Sequence, residues 1–153
     1  MVNQNHKCGL ILSVNAGSSS LKISLFRLSD ESARTEGEPD SEPITLLLTS
    51  SISSLSSPPA KFSFDYPSFV KGVKEEDVPS INDHASAFAH FLDCLKKDAS
   101  IDRDEIIHVC HRVVHGGDYT DPVIISNESY HHIEKLSDLA PLYVAFSLFL
   151  GIS

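Results

Sequence analysis

The chain contains no tryptophan, one methionine, seven glycines and three cysteines in 153 residues. Cys8, Cys94 and Cys110 are odd in number, far apart and without CxxC spacing. They outline neither a disulfide framework nor a zinc site, and are read as reduced thiols of an intracellular protein. No run approaches the ~20 apolar residues of a membrane span. The opening segment, MVNQNHKCGLILSV, carries one lysine and runs straight into a strand-like pattern, so it is not read as a signal peptide. Basic residues are also scarce: 12 Lys and Arg face 21 Asp and Glu, a formal net charge of −9. A surface of that sign repels nucleic acid and anionic lipid, but leaves room for a local basic pocket around one small anion. A cytoplasmic location, with no nucleic-acid or membrane partner, is the expectation.

What is present is the hydrophobic share of a globular domain, 41%, in a chain long enough for a core. Leu10–Val14 is apolar apart from Ser13, as in a buried strand. From Leu21 the pattern alternates, with Leu21, Ile23 and Leu25 on one face and Lys22, Ser24 and Phe26 on the other. That period of two predicts a second strand. Asp30–Pro43 reads as a polar loop, Ile44–Ile52 as a third strand, and Lys61–Tyr66 as a short strand. Pro67–Pro79 reads as another loop. Ala85, Phe88, Ala89, Phe91, Leu92 and Leu95 recur at three and four, predicting a helix from about Asn82 to Lys97 with Ser80 or Asn82 as cap. Ile106–Val114 is almost continuously apolar and suits a central strand covered on both faces. His115–Pro122 reads as a turn, Val123–Ser126 as a short strand, and Asn127–Leu136 as a helix capped by Ser126 or Asn127. The order implies a mixed α/β domain.

Two stretches carry chemistry. The first, SVNAGSSSLK (Ser13–Lys22), sets one glycine and three serines between two strands. It is not a Walker A loop, which needs GxxxxGK[ST] leading into a helix. Gly17 would let backbone N–H groups turn inward, the serines would add hydroxyl donors, and Lys22 would bring an ammonium. Asn15 would orient a water or a metal-bound water. Composition alone equally permits a solvated hairpin with a surface lysine. The second stretch is HRVVHGG (His111–Gly117). Arg112 in an apolar strand needs either an acid such as Asp118 or Asp121, or an anionic ligand for its two-pronged guanidinium. Both readings stay open.

Together, ILSVNAGSSSLKISLF, HRVVHGG and LAPL in this order resemble the acetate kinase family, whose members act on acetate, propionate or butyrate. The resemblance is strongest over Leu10–Phe26, Val109–Tyr119 and Leu136–Leu142. It implies an actin-like, ribonuclease-H-like α/β fold: an N-terminal domain over 1–142, with loop insertions at about 29–43 and 53–79, then a divergent apolar tail over 143–153. By resemblance, Lys22, Ser18, Ser20 and Gly17 serve the nucleotide phosphates, Arg112 and Val114 the acyl substrate, and Asn15 the Mg²⁺. The implied reaction is phosphoryl transfer from ATP to acetate. Tyr143 stands where a family histidine is expected, so no catalytic residue is carried over. The family's remaining catalytic groups fall beyond residue 153, and this portion is expected to be inactive alone and prone to self-association, where family members are homodimers. The long polar loops suggest a eukaryotic, fungal member. A non-catalytic fragment binding a phosphate or a partner is the alternative from outside the enzymes.

Overall fold

The computed structural model describes residues 9–28, 44–67, 73–112, 121–126 and 128–129. The described residues form six strands, β1 (Leu10–Ala16), β2 (Leu21–Leu28), β3 (Ile44–Ser53), β4 (Ala60–Asp65), β5 (Val73–Val78) and β6 (Ile106–His111), with helix α1 (His84–Asp98) between the last two. They form one sheet in the order β5-β4-β3-β2-β1-β6. Strands β1 to β5 pair antiparallel in sequence, and β6 returns parallel to β1.

The alternation in β1 and β2 does what its period predicts. Leu10, Leu12, Val14, Leu21, Ile23 and Leu25 are buried, joined on β3 and β4 by Leu48, Ile52, Phe62 and Phe64. The apolar stripe of α1, Ala87, Phe88, Phe91 and Leu95, completes this core. Phe91 sits 6.0 Å from Phe64 and 6.1 Å from Phe88 between ring centroids, tying helix to sheet. Burying one phenylalanine of this kind contributes about 1.5–3 kcal/mol by area transfer alone.

The ends of α1 follow local chemistry, with one shift from expectation. The N-cap is Asp83, not Ser80 or Asn82: its carboxylate accepts from the Ser86 N–H at 2.7 Å, and the Ser86 hydroxyl lies 3.1 Å from the Asp83 N–H it accepts from. Lys96 and Lys97 occupy the last turn, where cations offset the helix dipole.

Other expectations are corrected. Pro67–Pro79, including the second half of the 53–79 insertion, is not simply a loop: Val73–Val78 is β5, in register with β4 through Ala60↔Val78, Lys61↔Asp77 and Phe62↔Glu76. Its acidic run hides it from a periodicity argument, and pairing with β4 supplies what hydrophobicity does not. Lys61 bridges Glu75 at 3.1 Å and Asp77 at 3.4 Å across that pair. Among the described residues, strand β6 is not a central strand covered on both faces. There it is the sheet's edge, it ends at His111, and Ile107, His108 and Cys110 are exposed. Val123–Ser126 is not a strand, and Ile124 is 92% exposed. Ser126 does act as a cap: its N–H donates to the Ser129 hydroxyl at 2.8 Å, and the Ser129 N–H returns to the Ser126 hydroxyl at 3.3 Å. The polar loop at Asp30–Pro43, the turn after His115 and the rest of the Asn127–Leu136 helix lie outside the described residues.

Candidate phosphate-binding site

Topology gathers the two chemical stretches at one end of the sheet. Strand β6 runs parallel to β1, so both present their C-terminal ends there, and β2 starts at that end after the Gly17–Ser20 connection. Carboxyl ends of parallel strands are a recurrent ligand position in α/β sheets. Asn15 and Lys22 are register partners across β1 and β2, both exposed, while Val14, Ala16, Leu21 and Ile23 on the same strands are buried. The Arg112 N–H donates to the Val14 carbonyl at 3.2 Å, which anchors the residue after β6 beside Asn15.

Arg112 corrects the expectation made for it. It lies past the end of β6, its side chain is exposed, and it forms no ion pair with a described residue. No buried-charge argument therefore applies to it. Its neighbour His111 is the half-buried one, and loss of solvation lowers its pKa below the usual 6.5, partly offset by a hydrogen bond with the Arg112 backbone.

The loop has a one-sided hydrogen-bond arrangement. The Ser20 carbonyl accepts from the Gly17 N–H at 2.8 Å, and the Ser19 carbonyl accepts from the Leu55 N–H in the β3–β4 turn at 3.2 Å. The Gly17 carbonyl lies 2.7 Å from Nε2 of His84, the first residue of α1. Three loop carbonyls are thus engaged by the protein. The N–H groups of Ser18, Ser19 and Ser20 have no acceptor among the described residues. Backbone donors left over in this way, beside a lysine, suit an anion. Gly17 serves by close approach and not by a left-handed backbone: a Cβ there would stand 2.9 Å from the Ser20 Oγ.

Comparison with known proteins joins this geometry to a lineage. The model of the acetokinase family matches residues 10–149. The chain belongs to that family. The match continues through Tyr143 and most of the following segment. Among relatives, a probable acetate kinase of Chaetomium globosum is 39% identical over 145 residues, covering 91% of this chain and 29% of the relative. One from Emericella nidulans is 37% identical over 137 residues, covering 87% and 29%. The chain thus spans under a third of the length of these relatives. The crystal structure of Porphyromonas gingivalis acetate kinase superposes with a TM-score of 0.68 at 28% identity, over 94% of this chain and 35% of that one. A propionate kinase from Francisella tularensis, at 24% identity and TM-score 0.63, covers 90% and 31% and shares the fold. The fold is the actin-like one of the acetate and propionate kinases, as the motifs implied.

Of the acetokinase-type positions named from the sequence, Asn15, Gly17, Ser18, Ser20, Lys22 and Arg112 fall at this one end of the sheet. Val114 and Tyr143 lie outside the described residues. His84 was not anticipated. It is 67 residues from Gly17 in sequence, and nothing in the local pattern of a helix start points to a contact with the loop. For Mg²⁺, no group of three His, Cys, Asp or Glu side chains gathers among the described residues. Asn15 offers one neutral oxygen, which fits an ion held mainly by phosphates and water, as Mg²⁺ commonly is.

Proposed function

We propose that this chain forms the phosphate-binding part of an acetate kinase, which moves the γ-phosphoryl group of ATP to acetate and yields acetyl phosphate and ADP. A carboxylate oxygen of acetate attacks the γ-phosphorus, and the bond from that phosphorus to the ADP oxygen breaks. The carboxylate is already a competent nucleophile, so the protein's task is to align the two substrates and offset their negative charge. The Ser18–Ser20 amides and Lys22 hold the nucleotide phosphates. Arg112, anchored to Val14, grips the acetate carboxylate or the phosphoryl group in transit, with Val114 beside the methyl group. Mg²⁺, with Asn15 near it, supplies further neutralisation of the phosphates when bound. The remaining contacts come from sequence of the kind that makes up the other two-thirds of the relatives.

The observation that carries this reading is the loop whose Gly17, Ser19 and Ser20 carbonyls are engaged and whose Ser18–Ser20 N–H groups are not. The test is to join residues 1–142 to the remaining sequence of the Chaetomium globosum relative. Acetyl phosphate is trapped with hydroxylamine, with acetate, propionate and butyrate compared. ATP-dependent product that favours acetate and falls with Lys22→Ala is expected. A folded chimera without acyl phosphate formation refutes the proposal.

A further inference from the structure

In a two-residue hairpin turn the flanking residues exchange hydrogen bonds in both directions. At Gly17 and Ser20 only one of the two is made: Gly17 N–H donates to the Ser20 carbonyl at 2.8 Å, and the reciprocal bond from the Ser20 N–H to the Gly17 carbonyl is missing. The Gly17 carbonyl is taken by His84 at 2.7 Å. A carbonyl oxygen only accepts, so Nε2 must carry the proton in this contact. His84 is itself held in place. It is the first residue of α1, directly after the N-cap Asp83 and within the Asp83–Ser86 capping box, and α1 is fastened to the sheet by Phe88, Phe91 and Leu95.

We propose that His84 is a positioning residue for the anion loop: by donating from Nε2 to the Gly17 carbonyl it keeps the hairpin from closing on itself, and so leaves the Ser20 N–H free for a phosphate oxygen. The role rests on the phosphate-loop reading above and adds to it a part that none of the loop's own residues supplies. Without the imidazole the Gly17 carbonyl loses its partner, and the donor that a closed two-residue turn would supply in its place is the Ser20 N–H. That exchange satisfies the backbone and removes one of the three donors offered to the anion. The Ser19 carbonyl stays fixed by Leu55, so the loop as a whole remains in place.

The experiment uses the 153-residue chain, labelled with ¹⁵N, and inorganic phosphate as the probe at matched ionic strength. In the unsubstituted protein, long-range ¹H–¹⁵N spectra should show the proton on Nε2 of His84. Phosphate should shift the Ser18, Ser19 and Ser20 amide resonances. His84→Ala should slow hydrogen exchange at the Ser20 amide and weaken phosphate binding about threefold to tenfold, the worth of one ordinary hydrogen bond. His84→Gln, whose side-chain amide places an N–H near the Nε2 position, should restore both; His84→Asn, which is shorter, should not. A helix-stabilising role alone predicts no slowing at Ser20 and no difference between Gln and Asn. A bare Nε2 in the unsubstituted protein overturns the proposal without any variant. Unchanged Ser20 exchange and phosphate affinity in His84→Ala overturn it while leaving the phosphate loop standing. Absence of any phosphate-induced shift at Ser18–Ser20 in the unsubstituted protein overturns the loop reading and this role together. Should His84→Ala unfold, the comparison of Gln with Asn decides.

Discussion

Asn15 and Lys22 face each other as register partners across the β1–β2 hairpin, and both project from the side of strands whose neighbouring residues are buried. The pleat therefore puts one amide and one ammonium at the base of the Gly17–Ser20 loop. In the active chimera, Lys22→Ala is expected to lower ATP affinity and turnover by about ten- to a hundredfold, the worth of a charge-assisted hydrogen bond of roughly 1.5–3 kcal/mol. Steady-state kinetics with ATP varied measures it, and near-unchanged constants would count against a phosphate contact at Lys22.

Arg112 is exposed and tied through its backbone to Val14. Arg112→Ala is expected to act mainly through acetate and the transferring phosphoryl group, with a loss of similar size. Arg112→Lys should recover little, because an ammonium cannot reproduce a two-pronged grip on a carboxylate. Kinetics with acetate varied separates this residue from Lys22. Full recovery by lysine would show that only the charge matters.

Asp83 caps α1, and its hydrogen bonds from the Ser86 hydroxyl and backbone hold its carboxyl below the ordinary 3.8. Asp83→Ala should cost about 1 kcal/mol in urea denaturation at neutral pH. The folded state prefers the ionised carboxylate, so the cap's contribution is full above the unfolded value and is lost as pH falls through the folded one. The difference between Asp83→Ala and the unsubstituted chain should accordingly shrink in acid. A difference independent of pH would mean the ionised form is not what caps the helix.

His111 is half-buried, and loss of solvation depresses its pKa from 6.5. Folding therefore favours the neutral ring, and the unfolded chain takes up the proton at higher pH. The contribution of His111 to stability is complete above 6.5 and declines as pH falls below it. Replacing His111 by Gln should flatten the pH dependence of the denaturation midpoint in this window. An equally steep dependence in the variant would place the titration on another group.

Phe91 is fully buried and bridges α1 to Phe64 of β4. Phe91→Ala should destabilise the domain by about 3–5 kcal/mol, through lost transfer energy and the cavity left behind. Thermal or urea denaturation checks it. A cost under about 1 kcal/mol would mean that the α1–sheet contact contributes little.

The parts whose information is local follow from the chain's own residue pattern. The period of two in Leu21, Ile23 and Leu25 describes a half-buried strand wherever that strand is placed, and the three-and-four spacing of Phe88, Phe91 and Leu95 describes one helical face. The order of NAGSSSLK and HRVVHGG marks the acetokinase family, whose pattern matches residues 10–149, because residue identity and order are carried by the chain itself and need no packing partner. Tertiary structure decided what depends on a distant partner. Glu75, Glu76 and Asp77 carry no strand periodicity and become β5 only through register with Lys61 and Phe62. Arg112 looked buried because its neighbours are apolar, but β6 ends one residue before it, at the sheet's described edge. The contact between His84 and Gly17 spans 67 residues and exists only because α1 packs over the core. No short window of sequence contains both ends of such a bond, so its geometry is fixed when helix and sheet close on each other.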